Sequence, residues 1–314
     1  MKIGILMDAV EEIKPYKDST FAMMLAAQAR GHALYYFQQQ DLWAEDGIAM
    51  TACQAITVSD TAGHYFALDD AISCPLHAFD AILMRKDPPF DMEYIYSTYF
   101  LDMAVAQGTL VVNPPNALRQ VNEKFFITDF PELAPPTLIS QDIGRIKAFI
   151  SAHKQAVLKP LDGMGGKGIF KMTQGEPNTN AILEALGNGQ QTLMIQAFLP
   201  EVCAGDKRIL LVDGEPAAHG LARIPSDADF RANLAVGGRG EVQPLSARER
   251  AICEAIKPRL QALGLLFVGL DVIGGYVTEI NVTSPTCIRE IEAATGEQIA
   301  DRLIAKIESM VLAG

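Results

Sequence analysis

Residues 156–172 read Ala156-Val157-Leu158-Lys159-Pro160-Leu161-Asp162-Gly163-Met164-Gly165-Gly166-Lys167-Gly168-Ile169-Phe170-Lys171-Met172. Gly163, Gly165 and Gly168 match the spacing GxGxxG. A dinucleotide-binding loop of that spacing follows a strand and opens a helix. Here a strand leads in, but residues 169–172 read as a second strand, and Pro177 comes soon after. The Gly-Lys-Ser/Thr of a phosphate loop is absent. What remains is a hairpin whose glycine-rich tip lets backbone N–H groups approach phosphates, because glycine has no Cβ to block them. Lys159 stands in the strand leading to the tip, placed to pair with phosphate oxygens. A tight hairpin with solvated lysines fits the same residues, so the loop alone does not decide.

Toward the C-terminus the strand-turn-strand pattern recurs. Residues 209–212 and 217–222 flank Asp213-Gly214, and 266–273 and 276–282 flank Gly274-Gly275. The last hairpin carries Asp271, Glu279 and Asn281 among apolar neighbours. Glu279 and Asn281 are two apart on one strand and share a face. A carboxylate in a mostly buried strand needs a partner. Three oxygen donors beside a phosphate site suit a divalent cation bridged to a nucleotide. Acids facing water on a half-exposed sheet are the plainer alternative. Counting residues sets a condition. With a two-residue turn and regular strands, Asp271 pairs with Thr278 and points away from Glu279. A three-residue loop over 274–276, or a bulge, pairs Asp271 with Glu279 instead. The metal reading requires one of these, with Val272, Thr278 and Ile280 on the opposite face.

Between the two hairpins lie Lys207, Arg208, Arg223, Arg231 and Arg239, with Arg289 beyond them. Residues 225–240 include Gly237-Gly238-Arg239-Gly240 and read as a mobile lid. Singly, such arginines are surface charges. Beside a glycine tip and buried acids they suit stabilisation of developing phosphoryl charge.

Upstream the pattern differs. Residues 2–8, 32–37, 79–86 and 109–113 read as strands, and 19–30 and 92–107 as helices, with Gly31 as a stop. Strand and helix alternating in this way imply a parallel sheet with helices on its faces. Pro114-Pro115 and the change of pattern mark a boundary near 120. Residues 247–263 and 298–312 read as helices.

Composition narrows the class. A chain of 314 residues implies two or three packed units. Hydrophobic residues at 49% and charged residues at 20% describe a folded chain. A net charge of −12 argues against nucleic acid as the main ligand. No apolar run approaches the roughly 18 residues a membrane helix needs, and the first eight residues reach Asp8 too soon for a signal peptide. The five cysteines are odd in number with no CxxC pair, which disfavours a disulfide scaffold or a cysteine zinc site. Free thiols in a reducing, cytoplasmic setting are expected. The five histidines show no HxH or HExxH, so histidine-based metal hydrolysis is set aside.

With these residues in view the chain resembles the ATP-grasp superfamily, and within it the bacterial-type glutathione synthetases, nearly end to end. The resemblance rests on Leu83-Met84-Arg85-Lys86-Asp87-Pro88-Pro89-Phe90, Asn122-Glu123-Lys124, the glycine tip, Gly205-Asp206-Lys207-Arg208, Asn233-Leu234-Ala235, Gly237-Gly238-Arg239-Gly240 and Thr278-Glu279-Ile280-Asn281-Val282-Thr283-Ser284-Pro285-Thr286. It implies a mixed α+β chain of the ATP-grasp fold with an N-terminal parallel-sheet α/β part. The implied divisions are 1–121, 122–199 with the glycine loop, and 200–314 with metal site and lid. It implies ATP phosphates on Lys124 and Lys159 with Gly165 and Gly166, adenine at Gln196, Phe198 and Leu199, and ribose on Asp206. Mg²⁺ or Mn²⁺ falls on Asp271, Glu279 and Asn281, and the transferred phosphoryl group on Arg208 and Arg223. Substrate contacts fall on Arg85, Arg231, Asn233, Ser284 and Arg289. Residues 226–230 depart from the Gly-rich form common in this lid. The implied reaction joins γ-glutamylcysteine to glycine through an acyl phosphate, with no protein nucleophile, in a cytoplasmic homo-oligomer that is a tetramer in the family. Two rivals stay open: another carboxylate–amine ligase such as a D-alanine–D-alanine ligase, and an ATP-binding regulatory protein without turnover. A Rossmann dehydrogenase is disfavoured by the strand after the glycines.

Overall fold

The alternating signals of the first 112 residues build one mixed sheet. The computed structural model describes residues 1–61, 63–163, 165–226, 232 and 237–313. Its first sheet comprises β1 (Lys2–Leu6), β2 (Ala33–Phe37), β3 (Leu42–Glu45), β4 (Ile48–Val58), β5 (Phe66–Leu68), β6 (Ile72–Pro75), β7 (Ala81–Met84) and β8 (Leu110–Val112). The order is β3-β4-β2-β1-β7-β8, with β5 and β6 also paired to β4. The run β2-β1-β7-β8 is parallel, as the pattern predicts. The other half is antiparallel, which departs from the all-parallel expectation. The Ala, Thr, Cys and Gln residues of β4 give too little apolar contrast to read as a strand. Helix α1 (Ser19–Ala29) starts where the Asp18 carboxylate accepts the Phe21 N–H, and stops before Gly31 at φ +81°. Helices α2 (Met92–Val105) and α3 (Pro115–Gln120) follow β7 and β8.

The second sheet is antiparallel throughout. It comprises β9 (Thr137–Ser140), β10 (Gln155–Pro160), β11 (Phe170–Thr173) and β12 (Leu193–Ala197), in the order β11-β10-β12-β9. Helices α4 (Ile143–His153) and α5 (Thr179–Ala185) bury Ile146, Ile150 and Leu183 against Leu158, Met172 and Ile195. The glycine segment is the tip of the β10–β11 hairpin, with Leu158 opposite Phe170. Gly165 and Gly166 sit at φ +65° and +79°, a region that side chains with a Cβ rarely enter.

The third sheet comprises β13 (Asp206–Val212), β14 (Glu215–Pro216), β15 (His219–Ile224), β16 (Arg239–Pro244), β17 (Phe267–Ile273) and β18 (Tyr276–Asn281). Its order is β16-β15-β13-β17-β18, with β14 on β13. Helix α6 (Ala247–Ala262) opens on a capping box of Ser246 and Glu249. Helices α7 (Ile288–Thr295) and α8 (Ile299–Ala313) close the chain, and α8 returns to the first sheet, packing on α1. Arg30, just past α1, pairs there with Asp301 at 2.8 Å and with Glu308.

The register of β17 and β18 meets the condition set by counting, and it does so by the bulge. Ile273 pairs with Tyr276 and Val272 with Val277, so the turn has two residues. The register then slips, and Asp271 pairs with Glu279, leaving Thr278 as the extra residue. Val272 and Ile280 enter the apolar core as expected. Thr278 does not join them: it lines the cleft described next, and its hydroxyl donates to the Asp271 carbonyl at 3.3 Å.

Candidate active site

Residues of the second and third sheets line one cleft of about 1060 Å³, open solvent at its mouth included. The glycine tip supplies Gly163, Gly165 and Gly166, and the end of β12 supplies Gln196 with Phe198 and Leu199 beyond it. Asp206 and Arg208 come from β13, Arg223 from β15, Asp271 from β17, and Glu279 and Asn281 from β18. Lys124 reaches in from the segment that crosses between the first and second sheets.

The cations differ in how they are matched. Lys124 Nζ donates to the Gly163 carbonyl at 2.6 Å and lies 3.1 Å from Glu279 Oε1. Burial alone would lower this ammonium, but Glu279 and the neighbouring acids hold it above the ordinary lysine range. Lys159 is only 8% exposed. Among the described residues its ammonium has no hydrogen bond and no ion pair. Burial pushes it below the ordinary lysine range. A cation in this position calls for an anion from outside the chain.

Arg208 and Arg223 are buried around one carboxylate. Arg208 Nε is 2.5 Å from Asp271 Oδ1 and its Nη2 is 2.9 Å from Oδ2. Arg223 Nη2 is 2.9 Å from Asp271 Oδ2 and 2.7 Å from Asp206 Oδ2. Burial works to raise Asp271, yet the two guanidinium groups hold it well below the usual carboxylate range. Asp206 goes the other way. Burial pushes it up to about 6, against the pull of Arg223. Its Oδ1 is buried with no hydrogen-bond partner among the described residues, an acceptor facing a donor the chain does not supply.

The donor chemistry of the bulged hairpin fits a hard divalent cation. Among the described residues no three His, Cys, Asp or Glu side chains gather as a metal site. The set is instead two carboxylates, Asp271 and Glu279, and the Asn281 amide. Asn281 donates its Nδ2 to the Gly269 carbonyl at 3.1 Å, which leaves the amide oxygen as the atom that could ligate a cation. In the wall, Gln196 is buried with its Nε2 on Thr137 Oγ1 at 3.2 Å. Lys171 lies 3.8 Å over the Phe198 ring.

The expected substrate residues lie elsewhere. Arg85 is buried between the first sheet and the loop after β18, with Nε on Thr20 Oγ1 at 3.0 Å and Nη2 on the Pro285 carbonyl at 2.9 Å. Burial lowers it from the ordinary arginine range, opposed first by Asp18 and then by Asp87. Burial raises the Asp87 carboxyl, and Ser284 and Arg85 beside it pull against that rise, which places Arg85 and Ser284 in one polar region. Arg289 does not join it. Its Nη2 pairs with Asp60 at 2.8 and 2.9 Å. Arg231 and Asn233, and with them most of the expected lid over 225–240 and residues 227–230 of its atypical part, lie outside the described residues.

Glu123 was missed as a working residue, although it stands in the quoted Asn122-Glu123-Lys124. Its Oε1 accepts from the Val282 and Thr283 N–H groups at 2.8 Å each and from Thr283 Oγ1 at 2.7 Å. Its carbonyl accepts the Ile280 N–H at 2.9 Å. One residue thus clamps the Lys124 segment to the strand carrying Glu279. The signal was present in an acid placed directly before a cleft lysine, but nothing local told which strand it would hold.

Comparison with known proteins agrees with this architecture. Residues 1–119 match the model of the prokaryotic glutathione synthetase N-terminal domain, and 123–296 that of the prokaryotic glutathione synthetase ATP-grasp domain. The glutathione synthetase of Pseudomonas aeruginosa is 51% identical over 314 residues, covering 100% of this chain and 99% of the relative. That of Shewanella oneidensis is 51% identical over 310 residues, covering 98% of each. Among solved structures, a D-cycloserine synthetase superposes with a TM-score of 0.67 at 15% identity, covering 98% of this chain and 100% of that one. A RimK domain ATP-grasp protein from Sphaerobacter thermophilus gives 0.63 at 17%, covering 96% and 98%. These two likenesses concern the fold alone.

Proposed function

The chain belongs to the prokaryotic glutathione synthetase family, and from that premise we propose how its own residues divide the reaction. The protein is an ATP-dependent carbon–nitrogen ligase. It joins γ-L-glutamyl-L-cysteine to glycine through an acyl phosphate, giving glutathione, ADP and phosphate. Lys124, Lys159 and the backbone at Gly165 and Gly166 bind the ATP phosphates. Gln196, Phe198 and Leu199 hold the adenine, and the open Oδ1 of Asp206 accepts from the ribose hydroxyls. The observation that carries the phosphate assignment is Lys159, a buried ammonium with no ion-pair partner in the described chain.

Asp271, Glu279 and Asn281 would hold Mg²⁺ or Mn²⁺, which when bound polarises phosphoryl oxygens and offsets their charge. Arg208 and Arg223 stabilise the phosphoryl group as it passes from ATP to the cysteinyl carboxylate. The acyl phosphate carries the activation, so the glycine amine attacks it with no protein nucleophile. Arg85 and Ser284, with Arg231 and Asn233, receive the dipeptide and glycine, while Arg289, held by Asp60, is left out of this set, and the residues over 225–240 keep water from the acyl phosphate.

We read three units, 1–121, 122–199 and 200–314, each containing one of the three sheets. We also read a homo-oligomer. Met92, Tyr96 and Tyr99 leave an apolar stripe exposed at helical spacing on α2, which supports a covered face. The cysteines stand as free thiols, which supports a cytoplasmic setting. No helix of the described residues is long and apolar enough to cross a membrane. Phosphate release with ATP, γ-glutamylcysteine and glycine tests the reading. It requires both acceptors together. Equal release with D-alanine alone would replace it with the D-alanine ligase reading, and ATP binding without release would replace it with the regulatory one.

A further inference from the structure

Strands β4 and β6 bring together two thiols that the ligase chemistry does not use. Thr51 of β4 pairs with Cys74 of β6. Directly opposed residues project from the same face, and Cys53, two residues beyond Thr51, joins them there. Cys53 Sγ and Cys74 Sγ are 3.5 Å apart. A disulfide needs about 2.05 Å, so a side-chain movement of about 1.5 Å closes the gap. The two differ in access. Cys53 is fully buried, whereas Cys74 is half-buried on a strand whose neighbouring Ser73 and Ile72 are exposed. The Thr51 hydroxyl on this strand is buried with no hydrogen-bond partner among the described residues.

We propose that Cys53 and Cys74 form a thiol–disulfide exchange site, which closes to an intramolecular disulfide by reaction with a small disulfide such as the oxidised form of the enzyme's own thiol product. Access sets the order. Cys74, as its thiolate, attacks one sulfur of the small disulfide, forms a mixed disulfide and releases one small thiolate. Cys53 then loses its proton and attacks Cys74 Sγ, forming the Cys53–Cys74 bond and releasing the second small thiolate. Two protein thiols are oxidised, one small disulfide is reduced to two thiols, and the two cysteine protons pass to the released thiolates. Burial and the neighbouring Cys74 thiol push Cys53 up to about 12, in keeping with the second, resolving role. Neither sulfur lines the ATP cleft, so the proposal stands or falls apart from the ligase assignment.

The test uses the full chain incubated at graded ratios of oxidised to reduced glutathione, quenched in acid, alkylated and mapped by mass spectrometry. A Cys53–Cys74 cross-linked peptide pair rises with the ratio and disappears on addition of excess reduced thiol. Exposed Cys203 reports single mixed-disulfide formation in the same sample. Cys53→Ser accumulates the mixed disulfide at Cys74, and Cys74→Ser leaves Cys53 reduced. The idea is overturned if modification stays confined to Cys203. It is equally overturned if wild-type Cys74 holds a mixed disulfide while Cys53 remains a thiol, or if Cys53 oxidises as readily in Cys74→Ser. The first two readouts need no variant, so a misfolded variant does not rescue the proposal.

Discussion

Lys124 and Glu279 form an ion pair at 3.1 Å, and it joins the cation expected on ATP phosphate to an acid expected on the metal. The same exchange of roles holds for Arg208 and Arg223, which enclose Asp271. On the assignment proposed above, phosphate would compete with Glu279 and Asp271 for the basic groups, and a divalent cation would compete with the basic groups for the acids. Nucleotide and metal would then each free the other's partners, and their binding would be coupled. Nucleotide affinity measured by calorimetry is expected to rise when Mg²⁺ is present. Equal affinity with and without the cation would oppose the coupling.

Glu279→Gln removes one charge from that exchange while keeping a side chain of the same shape. We expect turnover to fall about 100-fold or more, the size typical for loss of one preorganised charge-stabilising group. The fold should survive, because Glu279 is not fully buried and Lys124 keeps its bond to Gly163. Steady-state rates at limiting Mg²⁺, with circular dichroism as the folding control, check this. Near wild-type turnover would remove Glu279 from the metal set.

Asp206 gives a pH signature. Folding raises its pKa from the ordinary 3.8 to about 6, chiefly by burial. Between those values the folded chain holds a proton there that the unfolded chain has lost. Stability contributed by this group is therefore full below pH 4 and declines as pH rises through about 6. Asp271 is depressed in the fold, so its own contribution grows as pH rises toward 4 and is complete above that. The two windows separate. The melting temperature of the wild type relative to Asp206→Asn should fall between pH 4.5 and 7. A flat difference would show that Asp206 does not titrate in this range.

Glu123→Ala leaves the Val282 N–H, the Thr283 N–H and the Thr283 hydroxyl without their acceptor. Each such loss costs about 1–3 kcal/mol where water cannot substitute. We expect a clear drop in the urea midpoint and weaker apparent affinity for both ATP and dipeptide, since the clamp borders both regions. Glu123→Gln keeps an oxygen acceptor and should lose less. Identical urea midpoints for the Ala variant and wild type would mean that the clamp carries no stability.

The legible parts of this chain were those where one local pattern has one physical outcome. The parallel strands β1, β2, β7 and β8 show as short apolar runs between helical segments. The glycine tip shows because a strand, not a helix, follows it. Asp271 and Glu279 could be matched by counting, but only as a condition. The bulge at Thr278 that satisfies it depends on contacts with the cleft and on the Asp271 carbonyl. The antiparallel half of the first sheet stayed hidden because the middle of β4, Thr51-Ala52-Cys53-Gln54-Ala55, is small and weakly polar. The bond from Arg85 to the Pro285 carbonyl spans 200 residues, and no local spacing encodes a partner that far away. Arg289 carries a charge fit for substrate, yet Asp60 takes it up from a distant turn.

Gly269 tests how tightly the arginine–aspartate arrangement is built. It lies on β17 two residues before Asp271 and so shares its face. Its backbone is not in the left-handed region, so only space restricts substitution. A Cβ added there would stand 2.8 Å from Pro285 Cβ and 2.9 Å from Arg208 Cδ. The proline ring is fixed to its backbone, whereas the arginine side chain turns about several bonds. Gly269→Ala should therefore displace Arg208 from Asp271. Overpacking of this kind costs about 1–3 kcal/mol of stability. Turnover should suffer more than stability does, since a misplaced guanidinium fails at the phosphoryl group even in a folded chain. We expect kcat to fall by about 10-fold or more, in line with the sensitivity of positioned groups to small shifts. Steady-state kinetics beside a thermal melt would separate the two effects. A variant with wild-type kcat and an unchanged melt would show that the strand yields and that Gly269 is not needed for the placement of Arg208.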